Sequence, residues 1–150
     1  MQISTKFTMT LHLLGCAYSF RDRKVTSDFI ARSIGTNPVV VRKLLQKLKA
    51  AHIVEVARGT GGITLTHPAY EITFLDVYRA VEESSAEHLF KFHENPNPQC
   101  PVGRNIHKAI DSKLDQAQHA FEHELSTITL DEVFAELPLI ETTKKKTDDH

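Results

Sequence analysis

The stretch Thr26-Ser27-Asp28-Phe29-Ile30-Ala31-Arg32-Ser33-Ile34-Gly35-Thr36-Asn37-Pro38-Val39-Val40-Val41-Arg42-Lys43-Leu44-Leu45-Gln46-Lys47-Leu48 decides the fold. Thr26 is a favoured N-cap, and Phe29, Ile30 and Ile34 give the short helix after it an inward face. Gly35 suits the left-handed position that ends a helix. Asn37 then caps a second helix, and Pro38 fits its first turn. That helix runs to Ala50 or Ala51, with Val41, Leu44, Leu45 and Leu48 as its buried stripe. Val39, Arg42, Lys43, Gln46 and Lys47 fall outside the stripe. Two short helices joined by a tight glycine turn, the second with a basic outer face, form a helix-turn-helix pattern.

The flanking sequence extends this pattern in both directions. Phe7, Leu11, Leu14 and Tyr18 predict a helix over residues 3–19, with Gly15 as a weak point inside it. Residues 53–57 and 63–66 suit two strands, and Arg58-Gly59-Thr60-Gly61-Gly62 between them suits a hairpin loop with Arg58 at its base. A hairpin at this place is a wing. Thr73-Phe74-Leu75-Asp76 reads as a capping box opening a helix to about Glu83. Residues 93–101 carry three prolines and are irregular. From Val102 to Ser126 a long helix is expected. Its apolar seam is Ile106, Ile110, Leu114, Ala117, Phe121 and Leu125, at near-heptad spacing, and it calls for a partner helix. Thr129-Leu130-Asp131-Glu132 reads as a second capping box before a short helix containing Val133, Phe134 and Leu137. The expected class is mainly α with a small β-hairpin. A winged helix-turn-helix spans 1–83, a sensor-type loop 84–101, the dimerisation helix and a short helix 102–137, and a polar, disordered tail 138–150.

Charge divides along the same line. Residues 1–70 hold ten Lys/Arg against three Asp/Glu, a balance of +7, and residues 71–150 hold eight against sixteen, a balance of −8. A basic front and an acidic back suit a polyanion-binding module joined to one that does not bind. Hydrophobic residues make up 41% and charged residues 25%, an ordinary globular composition. No apolar run spans a bilayer and the N-terminus lacks a signal-peptide pattern, so a cytoplasmic protein without a membrane partner is expected. Two cysteines, Cys16 and Cys100, make no disulfide framework.

Four stretches together carry a resemblance: MQISTKFTMTLHLL at the start, NPVVVRKLLQKLKAAHIVEVARGTGGITL, EITFLDVYRAVE, and ITLDEVF after the long helix. Over residues 1 to about 137 the chain resembles the Rrf-two (BadM-type) winged-helix transcription regulators. The resemblance implies a homodimer whose long helices cross, a palindromic double-stranded operator, recognition helices in major grooves, wings at minor grooves and, usually, repression. Some members hold an iron–sulfur cluster on three cysteines before the long helix. Here that loop has only Cys100, Gly103 stands in place of a histidine that would help as a ligand, and the wing is one residue shorter with Ile63 where an aromatic is common. No cofactor is expected.

The candidate DNA contacts are Thr26, Thr36, Asn37, Val39, Arg42, Lys43, Lys47, Arg58 and Gly59. Cations reach phosphates and arginine pairs with guanine, while amides and hydroxyls at a helix start hold phosphate. Cys100, near a helix start, is the sensor candidate, where thiolate character is raised. Cys16 is expected to be buried and inert. His119 and His123, in an H-x-x-E-H arrangement, match a metalloprotease motif but lack an evident third ligand, so neither catalysis nor a metal is assigned. Alternative functions are a thiol-based or ligand sensor acting through Cys100, and a protein-interaction adaptor that has lost DNA binding.

Overall fold

The computed structural model describes residues 5–59, 61–82, 89–90 and 93–140. The expected helix start at 3–4, Thr60 of the wing, parts of the sensor-type loop and most of the tail lie outside the described residues. The elements are α1 (Thr5–Ser19), α2 (Ser27–Ile34), α3 (Pro38–Ala50), β1 (Val54–Val56), β2 (Ile63–Leu65), a 3-10 turn (Ala69–Glu71), α4 (Phe74–Val81), α5 (Pro101–Thr127) and α6 (Leu130–Phe134). The mainly helical class with one small antiparallel hairpin is as the sequence predicts.

Helix α1 is the central post, and it departs from the expected stripe. Leu13, Leu14, Gly15, Cys16 and Ala17 are all buried, while Phe7, Leu11 and Tyr18 are only half-buried at its flanks. A helix covered on several sides has no single apolar stripe, so a one-face reading under-counts its contacts. The buried Thr10 hydroxyl is satisfied by the Lys6 carbonyl at 2.6 Å. A Cβ on Gly15 would stand 3.0 Å from the end of the Leu137 side chain, a tight contact that a small shift of that leucine relieves.

Leu137 belongs to the other notable departure. The sequence reading groups α6 with the long helix. In the structure, Leu130 and Phe134 are fully buried in the same core as Leu14, Ile30, Val41 and Leu48. The Phe134 ring lies 5.1 Å from that of Tyr18. The chain is therefore part of the winged-helix core at α6 as well. The start of α6 is fixed by a short bridge in which Phe74 N–H donates to the Ile128 carbonyl and Leu130 N–H to the Ile72 carbonyl, both at 2.9 Å.

The second capping box does not form. Ile72 already engages the first amide of α6, and the Thr129 hydroxyl turns to the carboxylates of Asp131 and Glu132 instead of a backbone amide. The first capping box does form, with Thr73 Oγ1 accepting from Asp76 N–H at 3.1 Å and Asp76 returning the bond at 3.0 Å.

Helix α5 extends past the core. Its C-terminal part packs on α4 through Phe121 against Tyr78, centroids 5.5 Å apart, and Tyr78 in turn meets Phe7 of α1 edge-on at 6.0 Å. Arg79 and Glu122 add an ion pair at 3.9 Å. Leu125 is buried, Ile106, Ile110, Leu114 and Phe121 are half-buried, and Ala117 is exposed. The seam is thus divided: its last members serve this chain, and its earlier ones stand partly open.

Candidate nucleic-acid interface

Helices α2 and α3 are set by local chemistry that leaves α3 presenting one face. Thr26 Oγ1 accepts from Phe29 N–H at 3.2 Å, so its side chain is spent on capping α2. Gly35 takes φ 83°, ψ 38°, and the amides of Gly35 and Thr36 both donate to the Ala31 carbonyl at 2.9 Å. This left-handed residue makes the turn tight, and a glycine carries it without a Cβ clash. Asn37 Oδ1 accepts from Val39 N–H at 2.8 Å, and Pro38 follows in the first turn. Asn37 itself is exposed.

Along α3, Val39 (50% exposed), Arg42, Lys43 and Gln46 form the solvent face, opposite the buried Val41, Leu44, Leu45 and Leu48. Two cations differ from the sequence reading. Arg42 pairs with Asp28 of α2 at 3.6 Å, both side chains more than half exposed. An exposed pair of this kind is worth at most about 1 kcal/mol, so a phosphate can displace it. Lys47 does not point outward. It is half-buried and its Nζ donates to the Val81 carbonyl at 3.5 Å, at the C-terminal end of α4. The negative end of that helix dipole attracts the ammonium, and Lys47 serves packing between α3 and α4.

The wing pairs Val54 with Leu65, Glu55 with Thr64 and Val56 with Ile63. Ala57 N–H bonds the Gly62 carbonyl at 2.8 Å, closing the hairpin before Arg58. Arg58 therefore lies in the tip rather than at the base, exposed beside Gly59 at φ 77°. The wing is not loose: Ile63 N–H donates to the Val25 carbonyl at 3.1 Å and Thr66 N–H to Ile53 at 3.0 Å. These bonds hold the tip arginine in fixed relation to the start of α2. Arg42, Lys43, Val39 and Arg58 are thus displayed by elements that share one core. A basic, two-part surface of this form has the charge and shape to meet a duplex.

A family comparison settles what kind of protein this is. Residues 3–136 match the family model Rrf2, described as an iron-dependent transcriptional regulator. The chain belongs to the Rrf2 family. It is 40% identical over 135 residues to the candidate HTH-type transcriptional regulator YwnA of Bacillus subtilis (strain 168), covering 90% of this chain and 98% of YwnA. It is 34% identical over 112 residues to protein aau3 of Rhizobium meliloti (strain 1021), covering 74% and 70%. A crystal structure described as that of a candidate DNA-binding protein superposes with TM-score 0.70 at 34% identity, covering 85% of this chain and 97% of the other. The oxidised form of Staphylococcus aureus CymR shares the fold, with TM-score 0.66 at 23% identity, covering 95% and 100%. As an Rrf2 protein the chain is a DNA-binding transcriptional regulator with a winged helix and a long C-terminal helix.

The family description names iron, so the donors matter. Cys100 is exposed at the start of α5, and Cys16 is buried in α1, where its thiol meets the Ser33 hydroxyl at 3.5 Å. Among the described residues no group of three or more His, Cys, Asp or Glu is placed to hold a metal ion. His119 and His123 are exposed on α5. With two cysteines in the whole sequence, one of them buried in the α1 core, the donors do not fit an iron–sulfur cluster.

Cys100 sits as the N-cap of α5 with Pro101 after it. The backbone amides of Gly103 and Val102 in the first turn of α5 favour the thiolate and hold its pKa below the ordinary thiol range. Gly103 has a visible purpose: a Cβ there would stand 2.6 Å from the Asn97 carbonyl, so only glycine lets the loop dock on the first turn of α5.

Proposed function

We propose that the chain is a repressor that binds a palindromic operator as a homodimer, with α3 in a major groove and Arg58 of the wing at the adjacent minor groove. The observation carrying this reading is the placement of Arg42, Lys43 and Arg58 on one anchored surface, with α5 extending an incompletely covered apolar seam away from it. Thr36, Asn37 and Gly59 supply backbone-facing contacts; Thr26 acts through its cap, and Lys47 through α4. Ile106, Ile110, Leu114 and Ala117 would meet the partner. The reading assigns no catalytic residue, no metal and no iron–sulfur cluster. It places the protein in the cytoplasm with its DNA; among the described residues no helix is long and apolar enough to cross a membrane. Footprinting on the chain's own promoter region tests it. Two protected half-sites, their centres about 10 base pairs or a multiple apart, are expected; a single unpaired half-site would contradict the dimer.

A second reading, thiol sensing, is favoured by the Cys100 environment. Its lowered pKa means that thiolate is present at a pH where an ordinary cysteine is still protonated. Alkylation of Cys100 by iodoacetamide should therefore rise with pH along a curve displaced to lower pH than that of the same chain unfolded in urea. Coincident curves would remove the amide-stabilised thiolate from the account.

A further inference from the structure

We propose that the cleft between the end of α1, the base of the wing and the start of α6 binds a small organic anion with an apolar body, and that its occupancy sets DNA affinity. The regulatory half rests on the DNA-binding reading above. The cleft has a volume of about 400 Å³, within the range of small-molecule sites. Tyr18, Leu65 and Tyr70 give it apolar walls, and Arg21, His67 and Asp131 supply its charged or titratable groups. Tyr70 is 62% exposed, a large ring standing in solvent at this cleft.

The polar groups favour an anion. The Arg21 guanidinium lies 5.3 Å from the Tyr18 ring centroid, which steadies it while leaving its donors for a carboxylate. The Thr66 hydroxyl donates to the His52 carbonyl and lies 2.8 Å from His67 Nδ1. It therefore accepts from Nδ1–H, which fixes the orientation of the imidazole. Asp131 is the single acid in the lining. Its carboxylate already accepts from the Thr129 hydroxyl. Arg21 is the lining's one arginine or lysine, and it is the group that would meet the ligand's carboxylate.

The cleft also touches the reading head. Leu65 belongs to β2 and pairs with Val54, while the neighbouring Ile63 is tied to Val25 just before α2. A ligand wedged between Tyr18 and Leu65 acts on the strand that positions both Arg58 and the start of α2. It changes DNA affinity to the extent that it prefers one wing position over another.

The test uses the full chain and three probes with one phenyl body: phenylacetate, phenylacetamide and 2-phenylethylamine, each titrated to millimolar concentration without DNA. Amide NMR shifts should be saturable with phenylacetate and centred on residues 18–21 and 65–70. Binding should be weaker for the neutral probe and weakest for the amine. Arg21→Met, whose exposed position preserves the fold, should weaken phenylacetate by about tenfold or more. Absence of a localised shift, equal binding of the amine, or unchanged binding in Arg21→Met overturns the site. Anisotropy on the promoter fragment with saturating phenylacetate reads the coupling: a shift in DNA affinity supports it, and bound phenylacetate with unchanged affinity overturns it. Since the titrations contain no DNA, a failure of the DNA-binding reading is distinguishable from a failure of the cleft.

Discussion

Phe134→Ala is expected to lower the unfolding free energy by about 3–5 kcal/mol, the range for deleting a buried phenylalanine. Phe134 is 1% exposed, and its ring rests on Tyr18 and beside Gly15 of α1. Its neighbours on α1 are themselves held by α2, α3 and α4, so the site has little freedom to collapse into the void. Urea unfolding followed by circular dichroism measures the loss, with Leu139→Ala as the control. Leu139 is 49% exposed, and its truncation should change stability by no more than about 0.5 kcal/mol. Equal midpoints for Phe134→Ala and wild type would mean that α6 is not part of the winged-helix core.

The other large effect concerns α5. Ile110→Glu with Leu114→Glu should give a monomer and weaken operator binding by about hundredfold or more. Both side chains are half-buried on a helix whose firm intrachain packing lies further along, at Phe121 and Leu125. Carboxylates there cost little in a monomer, where they stay hydrated, and much in a dimer seam, where they would be desolvated beside their symmetry mates. The DNA effect follows from linkage of two half-sites: a tethered second site gains about 10²–10⁴ in avidity, and a monomer forfeits it. Sedimentation velocity and anisotropy read the two halves separately. A variant that remains dimeric, or a wild type that sediments as a monomer, refutes this use of the seam.

The helix-turn-helix was legible because its signals are local. Thr26, Gly35, Asn37 and Pro38 act on backbone atoms within a few positions, and the structure uses each of them as a cap or turn. The Thr73 capping box is legible for the same reason. What was not legible depends on distant partners. Lys47 reads as an outward cation from its helix position, yet its partner is the Val81 carbonyl, thirty-four residues away. Asp28 is seen as the last acid before a basic stretch, but its pairing with Arg42 needs the angle between two helices. Thr129 has a capping sequence, but it is bridged to the distant Thr73 and its hydroxyl meets the Asp131 and Glu132 carboxylates. Arg58 moved from base to tip because Ala57 and Gly62 close the hairpin one residue earlier than its composition suggests. The cleft at Arg21 joins three elements far apart in sequence, and no motif marks it.

The most direct test of the central claim is a salt titration of anisotropy on a promoter fragment, with wild type and Arg42→Ala/Arg58→Ala side by side. Phosphate contacts release counterions, so wild-type affinity should fall steeply and log-linearly with salt. The double variant removes two cations from each protomer's reading surface without touching the core, since both residues are exposed. It should bind the fragment about hundredfold or more weakly, at loss of ~1–3 kcal/mol for a specific base contact and less for a phosphate, with a shallower salt slope. Affinity and slope equal to those of the wild type would contradict the assignment of α3 and the wing as the DNA-reading surface.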